Sequence, residues 1–324
     1  MTTQTGTDLA TAQRLLEAGQ LVAIPTETVY GLAANALDAD AVLAIFGTKN
    51  RPAFDPLIVH SDSLARLEPF LGAVPDAARL LADAFWPGPL TLLLPRQPAI
   101  PDLVTAGLPT VGVRVPNHPL TLDLLRALPF PVAAPSANPF GYISPTTAQH
   151  VADQLGGQIP YILDGGPCSV GVESTIVSFD EERPAVLRLG GITVDEIEAV
   201  IGPVSVRNHS TDNPAAPGML THHYAPRKPV VLVSGRQISD GSRLSQLAFS
   251  GAGALVFQDV LLEIPAQNQM VLSPMGDPGE AARNLFAHLR ALDALPIDII
   301  YAELLPEMGL GRAINDRLRR AAAR

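Results

Sequence analysis

Gly47-Thr-Lys-Asn-Arg-Pro-Ala-Phe-Asp-Pro-Leu-Ile-Val-His60 places two cations, Lys49 and Arg51, between two apolar runs. Upstream, Val42, Leu43, Ile45 and Phe46 fall at helical spacing, and Gly47 just beyond them predicts the helix stop. Downstream, Leu57 to Val59 predicts a strand. A helix, a Pro-bounded connection and a strand in so short a stretch point to an α/β chain. Pro52 biases Arg51 towards extended backbone, where residues two apart share a face, so Lys49 and Arg51 are expected to aim together. In a chain of formal charge −10 such a pair suggests an anion site, with plain solvated charge as the alternative.

The same alternation runs outward in both directions. Asp8 caps a helix to about Ala18, Leu21 to Pro25 reads as a strand, and Thr26-Glu-Thr-Val-Tyr-Gly31 follows at once. Asp38 opens the helix that leads to Gly47. Leu64 to Leu71 and Asp76 to Phe85 read as helices, and Trp86-Pro-Gly-Pro89 precedes the strand Leu90 to Leu94. Further strands are expected at Thr110 to Val115, Pro131 to Ala134, Tyr161 to Leu163, Ser174 to Val177 and Ala185 to Leu189, with helices among them. Several strands run straight into polar or glycine-rich clusters: Pro135-Ser-Ala-Asn138, Asp164-Gly-Gly166 and Gly190-Gly191. Such clusters are expected on one rim of the sheet, where open α/β sheets bind ligands.

Periodicity disappears from 203 to 229, a length at which structureless segments are usually linkers or functional. The expected division is therefore a domain over 1–202, a linker over 203–229 and a smaller α/β domain over 230–324. In the last, Asp277-Pro-Gly-Glu280 is a strong helix start. Strands at Val230 to Val233, Ala254 to Phe257 and Ile297 to Tyr301 and a basic final helix complete it.

Composition narrows the class. No apolar run is long enough to span a bilayer, and no signal peptide is visible at the N-terminus. A single cysteine, Cys168, excludes an internal disulfide and any Cys-rich metal site, which fits a cytoplasmic location. The acidic total argues against general nucleic-acid binding. No Walker-type loop, no Gly-x-Gly-x-x-Gly after a strand and no Gly-x-Ser-x-Gly elbow occurs. The carboxylates Glu27, Asp55, Asp164 and Glu173 are dispersed, so no dedicated metal cage is expected and Mg²⁺ would arrive on a phosphate substrate. What remains is a set of cations, Lys49, Arg51, Arg114 and Arg188. With them stand small donors at Thr26, Thr28, Thr110, Ser136, Asn138, Ser144 and Ser174. These suit a polyanion and a small zwitterion, and charge stabilisation without a covalent intermediate.

These motifs resemble, in order, the YrdC-type threonylcarbamoyl-AMP synthase family in its two-domain form. They are Pro25-Thr-Glu-Thr-Val-Tyr-Gly31, Lys49-Asn-Arg-Pro52, Trp86-Pro-Gly-Pro-Leu-Thr91, Val111-Gly-Val-Arg-Val-Pro116 and Ala134-Pro-Ser-Ala-Asn138. Ser144-Pro-Thr-Thr147, Asp164-Gly-Gly-Pro167, Gly171-Val-Glu-Ser-Thr175 and Leu187-Arg-Leu-Gly-Gly191 continue the series. Pro217-Gly-Met-Leu-Thr-His-His-Tyr-Ala-Pro226 resembles the family's interdomain connection. The resemblance implies a twisted mixed sheet flanked by helices, followed by a smaller Rossmann-like α/β domain. It implies a nucleotidyltransferase that makes L-threonylcarbamoyladenylate and pyrophosphate from L-threonine, bicarbonate (or CO₂) and ATP with Mg²⁺. A separate transferase then modifies tRNA, and direct tRNA binding by this chain is expected to be weak or absent.

By the same resemblance, Thr28, His60, Arg114, Ala134 and Ser174 hold threonine. Lys49, Arg51, Asp55, Thr110, Ser136, Asn138, Ser144, Arg188 and Tyr224 hold ATP, with Lys49, Arg51, Ser136 and Asn138 as the catalytic signature and Tyr224 closing over the nucleotide. The family reads Asp-Asn-Pro where this chain has Phe54-Asp55-Pro56. A carboxylate there fits only if it faces away from phosphate or meets Mg²⁺. The rival readings are a carbamoyl-adenylate-forming transferase of the same fold, whose further Cys-rich modules one cysteine excludes, and an RNA-binding module, which the acidic total disfavours.

Overall fold

The computed structural model describes residues 2–179, 183–208, 214, 216–219, 223–234 and 251–323. They form two compact units. Described residues within 1–140, 144–169 and 173–220 make the first, and those within 141–143, 170–172 and 221–324 the second. Residues 220–222 of the connecting motif, including His222, lie outside the described residues.

The first unit begins with β1 (Gln4–Gly6), α1 (Leu9–Glu17), β2 (Val22–Ile24) and β3 (Gly31–Asn35). It continues through α2 (Ala39–Lys49), β4 (Ile58–His60), α3 (Leu64–Leu67), α4 (Asp76–Phe85) and β5 (Leu90–Pro95). Next come α5 (Asp102–Thr105), β6 (Thr110–Arg114), α6 (Pro119–Ala127), β7 (Val132–Ala133), α7 (Ala148–Leu155) and β8 (Tyr161–Leu163). It ends with β9 (Thr175–Ser178), β10 (Ala185–Arg188), α8 (Val194–Ile201) and β11 (Ser205–Val206). Its 11 strands form one mixed sheet in the order β1-β8-β2-β3-β7-β4-β6-β5-β9-β10-β11. β11, paired in parallel with β10, falls where no periodicity was visible, because a two-residue strand carries none.

Side-chain alternation explains how this sheet leaves room for a site. On one side Val59, Leu92, Val113, Val177 and Val186 pack with Val42 and Ile45 of α2, Leu81 of α4, Val151 of α7 and Ile197 of α8. On the other, Val22, Ile24, Val132 and Ala134 pack with Leu16 of α1 and Leu124 and Leu125 of α6. Those two helices cover only the β2 to β7 part. Farther along that side, Ile58, Leu93, Ile176 and Leu187 meet Ala216 and Met219 instead. His60 and Arg114, directly paired across β4 and β6, share this side with Ile58.

The expected single rim is not found. β2, β7 and β8 run in one direction and β4, β6 and β10 in the other, so the clusters that follow them leave opposite edges of the sheet. A common rim needs parallel strands, and this sheet is mixed. His60, Arg114 and Arg188, from β4, β6 and β10, share one face.

The second unit contains β12 (Val230–Ser234), β13 (Ala252–Val256), β14 (Gln269–Val271), α9 (Pro278–Ala294), β15 (Ile299–Leu304) and α10 (Leu310–Ala322). Its four strands are parallel, in the order β12-β15-β13-β14. Asp277 caps α9 by accepting from the Gly279 amide, and Leu285, Phe286, Leu289 and Leu292 are its buried stripe. The basic final helix hides part of its charge: Arg317 and Arg320 are buried and pair with Asp316 at 3.1 and 3.0 Å. Among the described residues no helix is long and apolar enough to cross a membrane.

Gly47 does not stop α2. The helix runs on to Lys49, and Asn50 takes the left-handed cap at φ 51°. A glycine is tolerated in a helix at a propensity cost, and a Cβ added to Gly47 meets nothing within 4 Å. Gly47→Ala is therefore expected to raise unfolding stability by about 0.5–1 kcal/mol in urea denaturation. An unchanged or lower midpoint would show that the glycine has a role beyond the helix.

Candidate active site

Lys49 ends α2 with its ammonium buried, donating to the backbone carbonyls of Ser136 and Asn138 in the loop after β7. Burial holds its pKa well below the usual lysine range, and nearby Arg51 pushes the same way against Asp55. Arg51 lies beyond the left-handed Asn50, so the two cations converge through a helix cap and not through strand alternation. Arg51 Nε donates to the Asp55 carbonyl at 3.1 Å and Nη2 to the Pro56 carbonyl at 2.8 Å. The same Nη2 sits 2.9 Å from Asp55 Oδ2. Phe140 lies under the guanidinium, 5.8 Å from its carbon to the ring centre.

Asp55 is fully buried. Burial raises its pKa, while Arg51, Lys49 and Arg188 draw it back down. The carboxylate thus neither faces solvent nor leaves the cations.

The polar loop after β2 is a hydrogen-bonded turn. Thr26 Oγ1 donates to the Val29 carbonyl at 2.6 Å and lies 2.8 Å from Thr28 Oγ1. Thr28 Oγ1 accepts from Arg114 Nη1 at 3.0 Å, Arg114 Nε donates to the Gly88 carbonyl at 3.2 Å, and Nη2 pairs with Glu27 at 2.7 Å. All three nitrogens of this guanidinium are thereby engaged. His60 accompanies Arg114 in register. Burial, then the Arg114 charge, lower its pKa to about 3, so its imidazole is neutral at ordinary pH.

Ser174 Oγ lies 2.7 Å from Thr91 Oγ1 and accepts from Arg188 Nη2 at 2.9 Å. Arg188 Nε donates to the Ser174 carbonyl at 3.0 Å and Nη1 to the Pro217 carbonyl at 3.1 Å. Ser144 Oγ donates to Glu173 Oε1 at 2.6 Å. Gly190 lets these strands approach: a Cβ there would lie 2.3 Å from the Glu173 carbonyl oxygen. Ala134 donates its amide to the Ile58 carbonyl at 3.0 Å, Ser136 bridges to Gly31, and Asn138 Nδ2 donates to the Pro139 carbonyl at 2.9 Å.

Thr110 and Tyr224 were also expected at the site. Thr110 opens β6 two residues before Gly112, the partner of Ile58, and so stands level with Pro56, whose carbonyl accepts from Arg51. Tyr224 belongs to the second unit, buried at φ 63° and stacked on Phe286 with ring centres 5.5 Å apart. Arg317 lies over the same ring at 5.4 Å.

Glu27 and Glu173 take parts that sequence reading did not assign. Each adjoins a site residue in sequence, Thr28 and Ser174, which was the available signal. Burial and then Glu27 push the Cys168 thiol up to about 12, so it stays protonated at ordinary pH.

A buried cation cluster beside hydroxyls is the pattern of a site that aligns anionic reactants. The Sua5/YciO/YrdC family model, described as telomere recombination, matches residues 14–190. The model of the threonylcarbamoyl-AMP synthase C-terminal domain matches residues 192–323. A threonylcarbamoyl-AMP synthase of Pyrococcus abyssi is 44% identical over 317 residues, spanning 96% of this chain and 93% of the relative. One of Bacillus subtilis is 43% identical over 320 residues, spanning 97% and 92%. The crystal structure of P. abyssi Sua5 complexed with L-threonine matches with TM-score 0.89 and 41% identity, covering 99% of this chain and 97% of that one. This chain belongs to the Sua5/YrdC family of threonylcarbamoyl-AMP synthases, in its two-domain form.

Proposed function

We propose that the protein makes L-threonylcarbamoyladenylate and pyrophosphate from L-threonine, bicarbonate (or CO₂) and ATP. It would act as a cytoplasmic nucleotidyltransferase that supplies a separate transferase with the threonylcarbamoyl group for tRNA N6-threonylcarbamoyladenosine. The observation that carries this reading is that buried Arg188 lies near both Asp55, which also neighbours Lys49 and Arg51, and His60, which also neighbours Arg114.

The deprotonated threonine amine attacks CO₂, which bicarbonate supplies by losing hydroxide, and the nitrogen then gives up a proton to water to leave a carbamate. A carbamate oxygen then attacks the α-phosphorus of ATP, the bond to the bridging oxygen breaks, and pyrophosphate leaves with the electron pair. Both partners are anionic, so charge opposes their approach. Lys49, Arg51 and Arg188 offset that repulsion, and in a desolvated site fixed cations act more strongly than in water. Arg114 and Thr28 face the amino acid, with Glu27 fixing the guanidinium. Neutral His60 offers a hydrogen bond without adding charge.

Mg²⁺ binds oxygen donors and keeps several waters. Among the described residues no group of three or more His, Cys, Asp or Glu could hold a metal. Asp55 is the carboxylate set among the phosphate-side cations, and its donor chemistry fits an ion carried in on the triphosphate. When bound, that ion would offset phosphate charge.

Arg51→Ala is expected to lower threonine- and bicarbonate-dependent pyrophosphate release by about 10²–10³-fold, the usual loss for one charge-stabilising donor, while threonine binding by calorimetry persists. A variant within a few-fold of wild type would remove Arg51 from the chemistry.

His60 gives a pH signature. Its folded pKa of about 3 lies below the unfolded value near 6.5, so between these the unfolded chain binds a proton that the native state refuses. Its contribution is complete above pH ~6.5 and is lost as pH falls towards 3. Urea unfolding of His60→Gln from pH 7 to 4 should be flatter than wild type by up to ~1.4 kcal/mol per pH unit. Parallel profiles would mean that His60 is protonated in the native state.

A further inference from the structure

Asp55 is a buried anion with an incomplete set of partners. Its Oδ2 lies 2.9 Å from Arg51 Nη2, yet neither carboxylate oxygen accepts a well-aligned hydrogen bond among the described residues. Lys49 from α2 and Arg188 from β10 act on the same carboxylate. Three desolvated cations repel one another, and a carboxylate among them relieves that repulsion. A polyphosphate arriving at those cations meets this anion at close range. A bare polyphosphate is opposed by it, whereas one complexed with a divalent cation carries less negative charge and is opposed less, and Asp55 would offer that cation an oxygen donor.

We propose that Asp55 is the resident counter-anion of the phosphate-binding cations and that it makes the site select cation-complexed polyphosphate over bare polyphosphate. The inference rests on the reading of Lys49, Arg51 and Arg188 as the phosphate site. Asp55 thereby does two things at once: it stabilises the cluster before nucleotide arrives, and it filters the form in which nucleotide enters.

The test uses inorganic pyrophosphate as probe, titrated calorimetrically at pH 8 into the full chain, once with excess Mg²⁺ and once with EDTA. Wild type should bind the Mg²⁺ complex at least tenfold more tightly than bare pyrophosphate. Asp55→Asn, which keeps shape and removes charge, should bind bare pyrophosphate about tenfold more tightly than wild type does, and Asp55→Ala should do the same. Without ligand Asp55→Asn should melt below wild type, and pyrophosphate should raise its melting temperature by the larger amount. Equal affinity for bare pyrophosphate in wild type and variants overturns the counter-anion role while leaving the phosphate site standing. Should the variants not fold, wild type alone decides: bare pyrophosphate bound as tightly as its Mg²⁺ complex overturns the filter. No binding by wild type in either condition overturns the phosphate-site reading and this inference with it.

Discussion

An ammonium removed from water must be solvated by the protein or lose its proton, and Lys49 shows the first solution in part. Its nitrogen is held by the carbonyls of Ser136 and Asn138, which ties the end of α2 to the loop after β7. That link sets where the loop's side chains stand, and the Phe140 amide returns to the Lys49 carbonyl at 2.8 Å to close it. The price of burying such a charge is several kcal/mol, which the carbonyls and Asp55 offset. An incoming polyanion offsets it further.

The mixed sheet matters as much as the charges. Because β4 and β6 run against β2 and β7, residues that leave the sheet in opposite directions meet across one face, as Arg114 and Thr28 do. α1 and α6 cover the β2 to β7 part of that face, and farther along it the apolar cluster of Ile58, Leu93, Ile176, Leu187, Ala216 and Met219 adjoins His60 and Arg114. Arg114 donates through Nε and Nη1 and keeps Nη2 in ion-pair contact with Glu27, so its position is fixed by neighbours on three sides.

Much of this was legible in the sequence. Strong local signals held: Asp277 caps α9, and the strand and helix alternation placed most elements. Among the cations and hydroxyls chosen on chemical grounds, Lys49, Arg51 and Arg188 gather about Asp55, Thr28 bonds Arg114, and Ser174 bonds Arg188. What failed was nonlocal. Gly31 to Asn35 is a strand of small residues after a turn, with no polar alternation to announce it. Strand direction leaves no trace in hydropathy, so a mixed sheet was read as a rim. Gly47 looked like a stop only because Asn50, two residues beyond Thr48, was not recognised as the left-handed cap. Asp55 was visible as an unusual residue, but its pairing with Arg51 depends on how the Pro52 to Pro56 loop turns back.

The central claim is that this cation face joins three substrates into one adenylate. The direct measurement supplies ¹³C-bicarbonate, L-threonine and ATP with Mg²⁺ and identifies the nucleotide product by mass spectrometry, omitting each substrate in turn. The account predicts an AMP-linked threonine carbamate carrying one ¹³C, with pyrophosphate formed in equal amount and no adenylate when any substrate is missing. An adenylate that forms without bicarbonate, or one that lacks the label, would contradict it.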